Sequence, residues 1–195
     1  MDTREYIIDQ AFLLFMCKSY EAVSISDISV AIGFTKGALY HHFKNKEELF
    51  KAVIDKHFVL NELKINEDTC TLLQFTELCV ANAKQTLVQL FSQTQGVEVI
   101  NYMSIIADSF RHYPGFAEVK MKFMLDETNK IKRILDKSIE NGEIRSDIDT
   151  TLIAQSYFSN MLGLAGPVFQ NQSIEDAIAS LRGQLDQLYV LLKKE

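Results

Sequence analysis

The chain has 195 residues, of which 47% are hydrophobic, and it contains only 2 Pro and 8 Gly. Apolar residues that recur at helical spacing, with so few helix breakers, predict an all-α protein with a substantial core. No apolar run approaches the roughly 18 residues that a membrane-spanning helix needs. Asp2 and Glu5 stand where a signal peptide carries basic charge, so we expect a cytoplasmic protein.

The formal net charge of −6 argues at first against binding to nucleic acid. The charge is unevenly distributed along the chain. Between Ile28 and Lys46 there are three Lys and two His but no Asp or Glu. An acidic protein with one basic segment is oriented toward DNA by that segment, so this region is a candidate nucleic-acid interface.

The first two helices are predicted from their apolar spacing and their ends. Residues 4–18 form the first, because apolar side chains from Ile8 to Phe15 recur at i, i+3, i+4 and i+7. Ser24 and Asp27 have the spacing of a capping box at the start of a second helix. Gly33 ends that helix, as a left-handed residue commonly does.

A third, short helix follows almost at once. Thr35 caps residues 36–43, two residues after Gly33, and two helices joined by a short Gly-containing turn are typical of a helix-turn-helix. Only Leu39 and Phe43 lie on its inner face, so the helix would be marginal alone and makes sense if its outer face has a function. That outer face carries Lys36, Gly37, Tyr40 and His41.

The remainder of the chain is also predicted to be helical. Asn45 caps a fourth helix, with Glu48 completing the spacing of a second capping box. Glycine, proline and capping residues separate five further helices, predicted at 69–93, 97–112, 115–140, 149–169 and 173–193. We expect the functional boundary near residue 46, with the fourth helix acting as a strut.

The segment from Ser24 to Leu49, which contains GFTKGALYHHFKNKEEL, resembles the DNA-binding signature of the TetR family of regulators. Residues 7–15 and 20–24 resemble the preceding part of that signature, and residues 141–149 resemble a connection found late in many such proteins. The resemblance implies an all-α homodimer of about nine helices. Its parts would be a three-helix, helix-turn-helix DNA-binding domain at 1–46 and a ligand-binding and dimerisation domain at 47–195.

The function that the resemblance implies is a transcriptional repressor, released from a palindromic DNA operator by a small-molecule effector and needing no cofactor. A recognition helix presents its N-terminal residues to base edges, where Thr35, Lys36 and Gly37 lie. Gly37 either lets the backbone approach the duplex or satisfies a packing requirement. Tyr40 can bond phosphate through its hydroxyl, and His41 faces the same way.

Two further positions are candidate phosphate contacts. Ser24 and Lys46 lie at the starts of the second and fourth helices, and helix N-termini attract phosphate. Ser24 could equally serve only as an N-cap, and Lys46 only as a surface charge.

The last helix has an apolar seam with steps of four and three residues, the a/d spacing of helices that pack side by side. With small residues in the preceding helix, this seam predicts a four-helix bundle across a two-fold axis. The alternative is that the seam packs within one chain. The predicted dimer residues are Gly163, Gly166, Ile174, Ile178, Leu181, Leu185, Leu188 and Leu192.

Aromatic, Met and Cys side chains in the C-terminal body are candidates for an adaptable apolar pocket, although such residues are also ordinary core. They are Phe75, Cys79, Tyr102, Met103, Phe110, Met124, Tyr157 and Phe158. No phosphate loop, nucleophile elbow or zinc motif appears, so we expect no catalytic residues and no metal ligands. A helical interaction module with an inactive DNA-binding head is the remaining alternative, and the presence of Lys36, Tyr40 and Lys46 argues against it.

Overall fold

The computed structural model describes residues 2–58, 63–92, 99–163 and 173–194. Over these ranges the chain forms nine α-helices, as the sequence predicts for an all-α fold. None of the helices within the same ranges has the length and hydropathy needed to cross a bilayer. The helices are α1 (Thr3–Cys17), α2 (Ile25–Ile32), α3 (Lys36–His42), α4 (Lys46–His57), α5 (Leu72–Ser92), α6 (Val99–His112), α7 (Phe116–Glu140), α8 (Thr150–Leu162) and α9 (Ile174–Leu192).

The chain divides into two compact units, of which unit 1 comprises Met1–Leu60 and Thr94–Val119. In unit 1, α1 packs against α2, α4 and α6, and α4 also packs against α6. The Phe50 ring lies 5.1 Å from Phe15 and 4.7 Å from Tyr20, measured between centroids, which ties α4 to α1 and to the loop after it. The boundary expected at residue 46 falls inside this unit, and a functional division there stays a prediction.

The turn between α2 and α3 is closed by short-range hydrogen bonds. Gly33 has a φ of 71°, a left-handed conformation that glycine adopts without steric cost. The amide of Phe34 donates to the carbonyl oxygen of Ser29 at 3.1 Å, and the Ser29 hydroxyl donates back to the Phe34 carbonyl. The predicted helix-turn-helix is therefore confirmed as local structure.

The predicted helix caps are mostly confirmed. Ser24 and Ser173 each form a reciprocal capping box, at α2 and α9. Asn45 caps α4 by accepting the amide of Glu48 at 2.8 Å. The Glu48 carboxylate, however, accepts the amide of Lys44 at 2.8 Å rather than that of Asn45, so the second predicted box is not reciprocal.

Unit 2 comprises Asn61–Gln93 and Lys120–Glu195. Its core is formed by side chains of α5, α7, α8 and α9, and α9 packs against both α5 and α8. Glu143, just after α7, accepts the amides of Leu72 and Leu73 at 2.9 and 3.0 Å and so caps α5. The described part of α8 ends at Leu162, within the predicted range of 149–169; residues 164–172 lie outside the described ranges.

Candidate nucleic-acid interface

The third helix presents most of its surface to solvent. Leu39 is its only buried side chain, at 0% exposure, and anchors α3 against α2. Tyr40 is 51% exposed although it is a large aromatic residue, and Lys36 and His41 are exposed beside it. An exposed aromatic ring among cationic and titratable side chains is suited to phosphate contact, because the ring packs while the hydroxyl bonds.

The start of α3 is fixed by its N-cap, and the space around the backbone at Gly37 is large enough for a small side chain. The Thr35 hydroxyl oxygen accepts the amide of Ala38 at 3.2 Å. A Cβ atom added at Gly37 would meet only the Thr35 hydroxyl, at 3.9 Å, which is ordinary contact. Packing within the chain therefore does not require glycine at this position, and close approach to a duplex remains the interpretation of Gly37.

Ser24 acts as an N-cap. Its hydroxyl oxygen accepts the amide of Asp27 at 3.1 Å, and the hydroxyl donates to the Asp27 carboxylate at 2.5 Å. The hydrogen bonds from Ser24 hold the pKa of Asp27 below its usual value, so a negative charge persists at this end of α2. These contacts confirm the N-cap, which is compatible with a phosphate contact by Ser24, and that contact stays a prediction.

Lys46 is also engaged within unit 1. Its ammonium group donates to the carbonyl oxygens of Tyr20 and Val23 at 3.0 and 3.1 Å. The same nitrogen lies 4.0 Å from the centroid of the Tyr20 ring. The side chain therefore holds the loop before α2 against the start of α4, a contact that neither the phosphate nor the surface-charge interpretation anticipated.

The C-terminal end of α6 supports the same loop and α4, which the sequence did not reveal. The Asp108 carboxylate accepts the amide of Tyr20 at 3.0 Å, and His112 Nε2 lies 3.0 Å from a carboxylate oxygen of Glu21. The Tyr113 hydroxyl donates to Asp55 on α4 at 2.8 Å, and burial and this contact raise the pKa of Tyr113 to about 12. Because these are long-range contacts of ordinary polar residues, no local pattern marks them.

The candidate pocket residues divide between the two units. Phe75, Cys79, Tyr157 and Phe158 are buried together in the core of unit 2, and Met124 on α7 is 37% exposed. The two other described side chains belong to unit 1: Met103 is 38% and Phe110 is 53% exposed. The side chain of Tyr102 lies outside the described part of the chain. The role of these residues in binding a ligand stays a prediction.

The apolar seam of α9 faces the interior of its own unit. Ile178, Leu181, Leu185 and Leu192 are buried in the unit 2 core, and Ile174 and Leu188 pack partly against it. Within the single chain, α9 packs against α5 and α8, so the buried members of the seam favour the alternative of packing within one chain, and a role of the seam in a dimer stays a prediction. Gly163 is exposed at the end of α8, and Gly166 lies outside the described residues.

The side of α9 next to the seam forms an open groove with α8, and Leu188 borders both. Among the described residues, no atom lies within 4 Å of a Cβ added at Gly183, and Leu191 is 61% exposed. Small residues four positions apart, such as Ala179 and Gly183, allow another helix to approach closely. These small residues are visible in the sequence, but the leucine spacing of the same helix was the stronger pattern and was the one used to predict the interface. The groove is lined by Asn160, Ala179, Ser180, Gly183, Gln184, Gln187, Leu188 and Leu191.

Comparison with known proteins agrees with this architecture. Residues 7–53 match the family model described as bacterial regulatory proteins, tetR family. The transcriptional regulator AcrR of Shigella flexneri is 38% identical over 169 residues, which is 83% of this chain and 77% of that protein. The TetC protein of transposon Tn10 from Escherichia coli is 27% identical over 145 residues, 74% of this chain and 69% of its own length.

A solved structure shares the fold over nearly the whole chain. A TetR-family transcriptional regulator from Cytophaga hutchinsonii superposes with a TM-score of 0.69 at 21% identity, covering 99% of this chain and 96% of that one. The helix-turn-helix and its helical body define a DNA-binding transcriptional regulator. The chain belongs to the TetR family of bacterial regulatory proteins.

Proposed function

We propose that this regulator is a repressor that binds a palindromic operator as a homodimer and is released by a small-molecule effector bound in unit 2. The observation that carries the DNA-binding part is the exposed outer face of α3, in a segment from Ile28 to Lys46 that has no acidic residue. Since the family is bacterial, regulator and operator would meet in the cytoplasm.

The start of α3 would contact the base edges, and the exposed middle of α3 would contact phosphates. Thr35, Lys36 and Gly37 would lie at base edges, because the N-terminal residues of a recognition helix enter the major groove. Tyr40 and His41 would bond phosphate and fix the register of the helix. Ser24 and Lys46 contribute by holding α2 and its preceding loop in place, and any phosphate contact by them is additional.

The second copy would pack on the groove between α8 and α9. Gly183 offers a close approach and Leu191 an exposed apolar contact, so two copies could bury the same surface about a two-fold axis. Two recognition helices about 34–36 Å apart fit successive major grooves.

An effector would release the operator by changing the distance between the two DNA-binding domains of the dimer. A ligand that binds more tightly to the dimer with one such distance shifts the population toward that form, by an amount set by its difference in affinity for the two forms. The contacts of Asp108 and Tyr113 with the loop before α2 and with α4 support α6 as the element through which such a shift reaches the DNA-binding helices. A solved structure with the same fold is a complex of SmeT with triclosan, which supports a ligand-responsive regulator here.

The test is selection of bound sequences from randomised duplex DNA at moderate salt, followed by affinity measurements on the selected duplex. We expect the parent chain to enrich a palindrome, and Lys36→Ala and Tyr40→Phe to bind it about tenfold more weakly. Lys84→Ala is the matched control, because Lys84 is an exposed lysine on α5 of unit 2. No enrichment, or equal affinity in all four proteins, would contradict the proposal.

A further inference from the structure

The inward face of α7 is apolar in its C-terminal half but carries charged residues in its N-terminal half. At spacings of three and four residues, its C-terminal half presents Ile131, Ile134 and Leu135, all at 0% exposure. The same face in the N-terminal half carries Lys120 and Glu127 instead. A helix that only filled a core would continue the apolar pattern, so the polar residues in this half require a separate explanation.

Glu127 and Lys130 compensate each other. Both are buried, and the Lys130 ammonium group donates to the Glu127 carboxylate at 2.6 Å and to the carbonyl oxygen of Leu63 at 3.2 Å. A buried pair of opposite charges with a further hydrogen bond is electrically neutral and tolerated. This pair therefore adds no net charge to the inward face of α7.

Lys120 has no such compensation. It is half-buried, and among the described residues no carboxylate or hydrogen-bond acceptor lies against its ammonium group; its contact is the ring of Phe123, 5.8 Å from nitrogen to centroid. Burial lowers the pKa of Lys120. A partly desolvated cation without a counter-ion is unfavourable, and a bound anion would relieve it.

An apolar surface begins next to this cation. The Phe123 ring lies 6.5 Å from that of Phe158 on α8, centroid to centroid, and Met124, the next residue along α7, is 37% exposed. Two rings and a thioether give an adaptable contact for a hydrocarbon or aromatic body. Lys120, Phe123 and Met124 lie on neighbouring turns of α7, and Phe158 on α8 belongs to the same unit 2.

We propose that Lys120 is the charge-recognising residue of the effector site and that the effector is an organic anion with an apolar body, carried along Phe123, Met124 and Phe158. The anionic group, a carboxylate or an acidic phenol, would form a charge-assisted hydrogen bond with the Lys120 ammonium group. This proposal rests on the proposed function, in which a small molecule binds unit 2. It disfavours cationic effectors, which Lys120 would repel.

The experiment measures binding by calorimetry of octanoate and 1-naphthoate, with octanamide, 1-naphthamide and octylammonium as probes of matched shape. We expect the carboxylates to bind and the uncharged or cationic probes to bind about tenfold more weakly, the effect of losing a charge-assisted hydrogen bond. Lys120→Gln should remove this preference, and Lys120→Arg should keep it. Lys122→Gln is the matched control, since Lys122 is exposed and pairs with Asp126 at 3.0 Å.

The outcomes separate this inference from the proposed function. Equal binding of carboxylates to the parent chain and to a folded Lys120→Gln variant overturns the role of Lys120. Absence of carboxylate binding, with release of the selected operator by neutral or cationic compounds, overturns the anionic effector but leaves the ligand-responsive repressor intact. If no operator is selected, the repressor proposal fails, while the calorimetric result still decides the role of Lys120.

Discussion

The ammonium group of Lys46 lies 4.0 Å from the centroid of the Tyr20 ring and donates to the carbonyl oxygen of the same residue at 3.0 Å. One side chain at the start of α4 thus holds both the ring and the backbone of the loop that precedes the helix-turn-helix. Because the loop leads directly into α2, we expect Lys46 to influence DNA binding through the position of α2 and α3, whether or not it touches phosphate.

We therefore expect Lys46→Met to reduce the free energy of unfolding by about 1–3 kcal/mol, through loss of charge-assisted hydrogen bonds and a cation–π contact. Urea denaturation measures this change. Lys36→Met is the control, because Lys36 is exposed and should alter stability by less than about 0.5 kcal/mol. A Lys46→Met variant of unchanged stability with weakened DNA binding would instead indicate a direct phosphate contact.

Gly37→Ala separates folding from DNA binding. The added methyl group has room within the chain, and alanine favours a helix over glycine by up to about 1 kcal/mol, so we expect equal or greater stability. We also expect weaker operator binding, because the methyl group would occupy the space between backbone and duplex. Thermal unfolding and affinity for the selected duplex test the two parts. Unchanged affinity would show that the start of α3 does not approach DNA closely.

His57 makes the stability of unit 1 sensitive to pH. Its ring stacks on Phe12 with centroids 4.0 Å apart, and desolvation lowers the pKa of His57 although the neighbouring Asp9 carboxylate acts to raise it. The unfolded chain, where the pKa of histidine is about 6.5, then binds more protons than the folded chain at mildly acidic pH. Stability is therefore lost as the pH falls through about 6.5, and is unaffected well above it.

We expect the melting temperature of the parent chain to fall more between about pH 7.5 and pH 5.5 than that of His57→Gln. Carboxylates with lowered pKa values do not contribute in this window, since they protonate near pH 4 or below. His41→Gln, at an exposed position on α3, should behave like the parent. Parallel pH profiles for the parent and His57→Gln would show that the ring is not held neutral by burial.

The groove on α9 gives a direct test of assembly. Gly183→Arg should fold normally, because the position is open in the single chain, but should prevent close approach of a second copy. We expect a monomer by sedimentation analysis and loss of palindrome binding. Ala81→Arg, an equivalent change at an exposed position on α5, should remain dimeric. A dimeric Gly183→Arg variant would place the interface elsewhere.

The helix-turn-helix could be predicted from sequence because its signals are local. Ser24, Gly33 and Thr35 determine helix ends within three or four residues of themselves, and the structure has each end where it was expected. The helical nature of the remaining chain followed from apolar periodicity in the same way. The prediction of exposed side chains on α3 also succeeded, since a seven-residue helix with one buried residue leaves little ambiguity.

The partners of particular side chains were not predictable in this way. The spacing of Leu181 and Leu185 identified an apolar face on α9 but not which surface would cover it. Lys46 was predicted as a phosphate contact, with a plain surface charge as the alternative, and neither interpretation indicated its contact with Tyr20, 26 positions earlier. Phe110 and Phe75 looked alike in sequence, yet one is exposed in unit 1 and the other buried in unit 2.

The sequence by itself thus determined the helices, the position of the recognition helix and, through its signature, the class of regulator. Only the tertiary structure showed that Lys46 contacts the loop before α2, that most of the leucine seam of α9 is buried in unit 2 and that, among the described residues, Lys120 lacks the counter-ion that Lys130 has in Glu127. The physical reason is the separation along the chain of the residues that interact. Caps and periodicity act between residues a turn or two apart, whereas the cost of burying a charge or an apolar face depends on which distant side chains meet it.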